Sequence, residues 1–170
     1  MTVANLMTGI TPSASFAGVA TNDNFILAVD TSESGSGSNV STYTVVQGGI
    51  AAVDSQLNPE TDEKTYIRAG KVTTKTATQR TFHVTGDRMH GDEFQDFVLS
   101  HAIKFGTGQA VIRPYAYFSM LTGEGETGTA SIIANSDGSG DAGASAEIDI
   151  DIMATAAPVK YTYTTPSGGV

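Results

Sequence analysis

The chain has 170 residues, 39% of them hydrophobic and only 16% charged, and its 18 acidic against 9 basic side chains give a net charge of −9. That length suits one domain with a real hydrophobic core; the charge balance excludes a protein that holds nucleic acid by neutralising phosphates, and the lack of Cys excludes disulfides, thiolate zinc sites and thiol catalysis. Gly is abundant, at 19 residues, and a surface of small neutral groups loses little side-chain entropy when covered, which favours a subunit that buries its surface against copies of itself.

Residues 1–22 are small and weakly patterned and read as a flexible arm at the head of a single 1–170 domain. They lack the basic start and apolar run of a signal peptide. No stretch of about 18 apolar residues follows, so no membrane-spanning helix is expected, and the chain is expected to be made in a cytoplasm. Phe25-Ile26-Leu27-Ala28-Val29 is an apolar run of strand length. Residues 31–39 form a Gly/Ser loop expected to be mobile, and 42–47 alternate as a β-rich segment. Ile50-Ala51-Ala52-Val53 is a further strand, followed by the turn-like Asn58-Pro59.

Two strands, about 64–69 and 71–85, are expected to pair around Gly70. One helix is predicted over 92–105. Asp92 can cap it, Gln95 stands at capping-box spacing, and Gly106 ends it. Phe94, Phe97, Val98, His101 and Phe105 share one face of that helix and predict its packing surface. Strands follow at 109–121, with Pro114 marking an edge, bulge or bend, and at 129–134. A turn is read at 135–144. In the strand 145–153, Ile148, Ile150 and Ile152 alternate with Glu147, Asp149 and Asp151, which predicts one buried and one uniformly acidic face. A last strand, 160–164, precedes a flexible tail from about 165 to 170. The chain shows no internal repeat and no domain boundary, and reads as mainly β: a β-sandwich or partly open barrel with one flanking helix and an extended loop or hairpin arm.

Catalytic, cofactor and metal sites are not predicted. His101 lies on the helix stripe, His83 lies mid-strand, and His90 with Asp87 and Asp92 reads as the loop and cap before the helix. Asp137-Gly138-Ser139-Gly140-Asp141 resembles the start of a calcium loop, but the spacing places Ala142 and Ile148 where Gly and Glu are required. The acidic face is an ordinary solvated face, or else, if it lines a channel, a stripe past which DNA slides without gaining affinity.

Residues 57–67, Leu57-Asn58-Pro59-Glu60-Thr61-Asp62-Glu63-Lys64-Thr65-Tyr66-Ile67, resemble the "NPE…YI" segment of tail tube (major tail) proteins from long-tailed phages of Gram-positive bacteria and related phage-derived tails. The likeness continues through Thr73-Thr74-Lys75-Thr76, through Gly86-Asp87…Gly91-Asp92 with Phe94 and Phe97, and through Lys104/Gly106. It closes with the strand Ala146 to Met153 and with Pro158-Val159-Lys160. It spans residues 48–164; residues 1–47 match least. The resemblance implies a structural virion protein, not an enzyme, whose six copies form a ring and whose rings stack into a hollow siphovirus tail tube. The implied partners are other copies of the chain and the tape measure, tail terminator and distal tail proteins, with DNA passing through the lumen without specific binding. It also implies an arm reaching the adjacent ring. Residues 54–77 are the expected arm, with Asn58, Pro59, Glu60, Glu63, Lys64, Tyr66, Lys71 and Lys75 as its contact residues, and Glu147, Asp149 and Asp151 as the expected lumen face. A capsid decoration protein or another β-rich tail or baseplate component is the alternative, and a carbohydrate-binding module is disfavoured by the absence of Trp.

Overall fold

The computed structural model describes residues 1–33, 35 and 37–165; Ser34 and Ser36 of the Gly/Ser loop, and most of the expected C-terminal tail, lie outside the described residues. In chain order the elements are α1 (Val3–Leu6), β1 (Phe25–Val29), β2 (Thr44–Val45), β3 (Ile50–Gln56), β4 (Pro59–Tyr66), β5 (Gly70–Thr78), β6 (Thr81–Asp87), α2 (Glu93–Val98), α3 (His101–Lys104), β7 (Ile112–Ser119), β8 (Glu124–Ser139), β9 (Glu147–Ala154) and β10 (Val159–Thr162). The protein is mainly β: one eight-stranded antiparallel sheet runs β2-β1-β7-β8-β9-β6-β3, with β10 pairing the first part of β8, and β4-β5 form a separate two-stranded sheet.

The large sheet curls into a partly open barrel. The rings of Phe82 on β6 and Tyr115 on β7 meet edge to face at 5.4 Å although β8 and β9 lie between those strands. The Tyr117 hydroxyl reaches Ser55 Oγ at 3.4 Å, and Asn22 Nδ2 donates to the Val53 carbonyl at 3.3 Å, so β3, at one end of the sheet, returns toward β1. Inside the curl lie Phe82, Val84, Ile148, Ile150, Ile152 and Tyr115, closed over by Phe94, Val98 and Ile103 of the helices. The alternation read in 145–153 is met by burial: Ile148, Ile150 and Ile152 are enclosed and the residues between them are not. Each such isoleucine contributes roughly 2–3 kcal/mol of apolar burial.

A second cluster covers the other face of β1 and β7. Ile26, Ala28, Ala116 and Phe118 pack there with Val3 and Met7 from the head of the chain and Tyr163 after β10. This explains why Phe25–Val29 is a continuous apolar run: it is buried on both faces. It also shows that the segment read as an arm is anchored at its start, since Val3 and Met7 are 0% and 1% exposed.

Several boundaries differ from expectation. The first hairpin strand, expected over about 64–69, runs Pro59–Tyr66, and the strand expected over 129–134 already begins at Glu124. The strand expected at 71–85 is two strands, because Gln79-Arg80 crosses from the small sheet to the large one. The turn expected from 135 begins later, since β8 runs to Ser139 with register shifts after Ala134 and Asp137. The single helix expected over 92–105 is two. Leu99 and Ser100 leave the helical conformation (Ser100 φ −63°, ψ 154°), which turns the last segment so that Ile103 is buried, while His101 is exposed and Phe105 is 70% exposed. Phe94 and Val98 keep their packing role and Phe97 is half-buried under the Arg113 guanidinium at 5.4 Å. His101 and Phe105 instead meet ring to ring at 4.9 Å, tilted by 49°, outside the core.

Asp92 caps α2, accepting from Gln95 N–H at 2.9 Å. The Gln95 side chain does not complete a capping box. It is fully buried, donates to the carbonyls of Gly48 (2.6 Å) and Asp87 (3.0 Å), and accepts from Met89 N–H (2.8 Å). One amide thereby ties the helix to the start of β3 and the end of β6.

Candidate functional site

The face of β9 opposite the isoleucines carries Glu147, Asp149 and Asp151, as expected from alternation, but it is not uniformly acidic. Register places His83 of β6 directly beside Asp151 and Thr85 beside Asp149. His83 Nδ1 lies 2.8 Å from Asp151 Oδ1 and 3.6 Å from Asp149 Oδ1. From the other side, Asn135 of β8 donates to Asp149 Oδ1 (2.9 Å) and Asp151 Oδ2 (2.7 Å). The hydrogen bond to Asp151 chiefly raises the His83 pKa, opposed by burial and aided by the charges of Asp149, Asp151 and Asp54. For Asp151, burial favours the neutral acid, but the hydrogen bonds from Asn135 and His83 outweigh it and the pKa is lowered. His83, Asp149 and Asp151 offer ligand atoms within 4.8 Å of one another. Asn135 and His83 already hold the two carboxylates, so the group is a closed polar ladder three strands wide on the outer face of the sheet.

The second feature is the β4–β5 hairpin. Its strands pair from Pro59↔Thr78 to Tyr66↔Gly70, and every residue in both is exposed. The reversal uses Arg68 and Gly70 in the left-handed region (φ 65° and 73°), with Ala69 N–H donating to the Tyr66 carbonyl at 3.3 Å. At about 3.3 Å per residue, eight residues project roughly 26 Å. Asn58, at φ 41°, anchors the base by donating to Thr81 Oγ1 at 2.7 Å. Pro59 opens β4, and Glu60, Glu63, Lys64, Tyr66, Lys71 and Lys75 all lie on the projecting ribbon, where Glu63 and Lys71 pair across it at 2.5 Å. The residues assigned to an arm are thus gathered on one exposed element, apart from the acidic strand. An isolated two-stranded ribbon is marginal in water, and no other element of the described residues packs over this one.

A third feature carried no signal in the sequence. Arg80, at the crossing from β5 to β6, lies between the rings of Phe82 and Tyr117, 4.7 Å from each centroid, and its Nε is 2.7 Å from Glu126 Oε1 on β8. Its side chain is 9% exposed. This buried pair pins the root of the hairpin to the middle of the sheet. The loop candidate at His90 resolves into structure: Asp92 caps α2, and Asp96 takes the Arg88 guanidinium at 2.5 Å and the Gly91 N–H at 3.0 Å. Asp137 pairs with Lys104 Nζ at 2.6 Å. Among the described residues no helix is long and apolar enough to cross a membrane.

Comparison with protein-family models and with curated proteins finds no match. Among solved structures, the chain is similar to one in the tail of an empty gene transfer agent particle of C6 symmetry, with 15% identity and a TM-score of 0.56 over 85% of this chain and 100% of that one. It is also similar to a chain in the virion of a native gene transfer agent particle, at 11% identity and a TM-score of 0.56 with the same coverage. What this chain has in common with those particle components, over their whole length, is the fold.

Proposed function

We propose that the protein is the tail tube subunit of a long-tailed phage or a phage-derived particle, a structural virion protein and not an enzyme. Six copies close into a ring, and rings stack into the hollow tube through which DNA is delivered. The observation that carries this reading is the likeness in fold to the tail of a sixfold-symmetric particle. The exposed hairpin supports it, because a heterologous contact that does not close on itself generates a filament. In this reading the hairpin reaches the adjacent ring and the face of Glu147, Asp149 and Asp151 lines the lumen. There its carboxylates offer DNA no counterion-release affinity. The tape measure, tail terminator and distal tail proteins are the other partners, and the host range suggested by the Asn58-Pro59-Glu60 segment belongs to the same proposal.

The test is to concentrate the purified chain, alone and with a tape measure protein, and image it by negative-stain electron microscopy. Hollow tubes or six-fold rings are expected. Persistent monomers under both conditions would overturn the reading in favour of a decoration protein. Tubes carrying Glu147→Lys, a change that leaves the His83–Asp151–Asn135 ladder intact, should retain double-stranded DNA at low salt where wild-type tubes release it. Equal release by both would remove this face from the lumen.

A further inference from the structure

β3 carries the hairpin at one end and a pair of grooves at the other. The hairpin leaves the body at Gln56, the last residue of β3. At the first residues of β3 two grooves flank Ala51, which lines both. On one side the gap between β3 and the β1–β2 end of the sheet is lined by Phe25, Leu27, Val46, Val53 and Tyr117. On the other lies a depression bordered by Asp87, Glu147 and Asp149. Ala51 stands at this spot because β3 is bulged there. Ile50 pairs with Gly86 and Ala52 with Thr85, which leaves Ala51 unpaired. Gly86 is required, since a Cβ at that position would run into the Gly49 carbonyl oxygen and Ile50 Cα. A bulge of this kind bends the strand and interrupts its edge.

The tip matches both grooves. Ile67 at the reversal is 93% exposed and Tyr66 beside it 53%. The hairpin also holds four of the nine basic residues (Lys64, Arg68, Lys71, Lys75) against three acids (Glu60, Asp62, Glu63), leaving the rest of the chain with 15 acidic and 5 basic residues. Among the described residues Arg68 makes no ion pair. A net-positive ribbon with an apolar apex beyond one end of β3, and an apolar slot beside an acidic rim at its other end, are complementary in the head-to-tail sense that repeats along an axis.

We infer that the β4–β5 tip docks on a second copy of this chain, with Ile67 seated in the slot between β1 and β3 and Arg68 turned to the rim of Asp87, Glu147 and Asp149. The inference rests on the assembly reading above and names its contact. Glu147 and Asp149 then serve at the junction between successive rings as well as on the face assigned to the lumen.

The chain lacks Cys, so paired thiols can test the contact without background. Ile67→Cys protein is mixed with Ala51→Cys protein under mild oxidation; both positions are exposed, so folding is spared. Docking brings the two Cα atoms within the roughly 4.4–6.8 Å that a disulfide spans. Heterodimer is expected well above its statistical share of about half of all cross-linked dimer, with loss of that surplus on adding Arg68→Glu or raising the salt. A random distribution of the three dimers, or a heterodimer insensitive to Arg68→Glu, would overturn the proposal. The readout works on dispersed protein, so it separates this contact from tube formation. Tubes without the cross-link refute the docking site alone, whereas cross-linking without tubes or rings refutes the tube.

Discussion

Replacing Glu126 by Gln removes one charge from the pair that holds the root of the hairpin and keeps the side chain's shape. Arg80 then stays between Phe82 and Tyr117 with 9% of its side chain exposed and no counter-ion. Breaking a buried ion pair from one side costs about 3–5 kcal/mol because the remaining charge is left desolvated. Glu126 retains 23% of its own exposure, and partial solvation brings the expectation down to about 2–4 kcal/mol. For a domain of this length that lowers Tm by roughly 6–12 °C. The assay is thermal and urea unfolding of dispersed protein, at concentrations where assembly adds nothing to stability. The double variant Arg80→Met with Glu126→Leu should recover most of the loss, because an apolar pair of similar volume replaces the ions without leaving a charge behind. A double variant as unstable as Glu126→Gln would refute the electrostatic reasoning and assign the cost to packing.

Three further outcomes are expected. Ile150→Ala, at a fully buried position between β6 and β8, should cost about 3–4 kcal/mol in urea unfolding. Gly125→Ala should cost about 2–3 kcal/mol, since its Cβ would run into the Tyr117 carbonyl oxygen and Phe118 Cα on β7; a neutral result would show that the β7–β8 ladder relaxes there. The folded pKa of His83 is raised, chiefly by its hydrogen bond to Asp151. Its contribution is therefore fully present below the ordinary histidine value of about 6.5 and is lost as pH rises through the folded pKa. His83→Asn should flatten the stability profile above that value, and an unchanged profile would mean that the ladder holds with neutral histidine.

Much of the body was legible in the sequence because burial writes a period. Ile148, Ile150 and Ile152 gave β9 and its two faces, and the unbroken Phe25–Val29 gave a strand buried on both sides. The hairpin was legible through composition: a Thr- and charge-rich stretch without core residues around Gly70. What escaped depends on register, which no local pattern carries. His83 looked like one polar residue in a strand until β6 lay against β9 and placed it beside Asp151. Arg80 and Glu126 are far apart in sequence and meet only across the curled sheet. The break at Leu99–Ser100 was hidden because Phe94, His101 and Phe105 keep helical spacing on paper, while burial of Ile103 decides the turn. β8 was read short at both ends; its last part, Asn135–Ser139, has turn composition, yet Asn135 is held there by the aspartates of β9.

The order of the strands has a consequence for how the molecule comes into being. In the hairpin the partners lie within twenty residues of each other along the chain, and such a ribbon closes in roughly microseconds. β1 must wait for β7, since Phe25 pairs with Ser119 and Val29 with Tyr115, and contacts so distant in sequence form slowly. The hairpin can thus close early, though only marginally stable by itself, while the slot beside β1 does not yet exist. If the tip docks as proposed, copies can join only after β1 has settled on β7 and the slot beside it exists. Pulse-labelling of amides during refolding should record that sequence, with β4–β5 protected before β1.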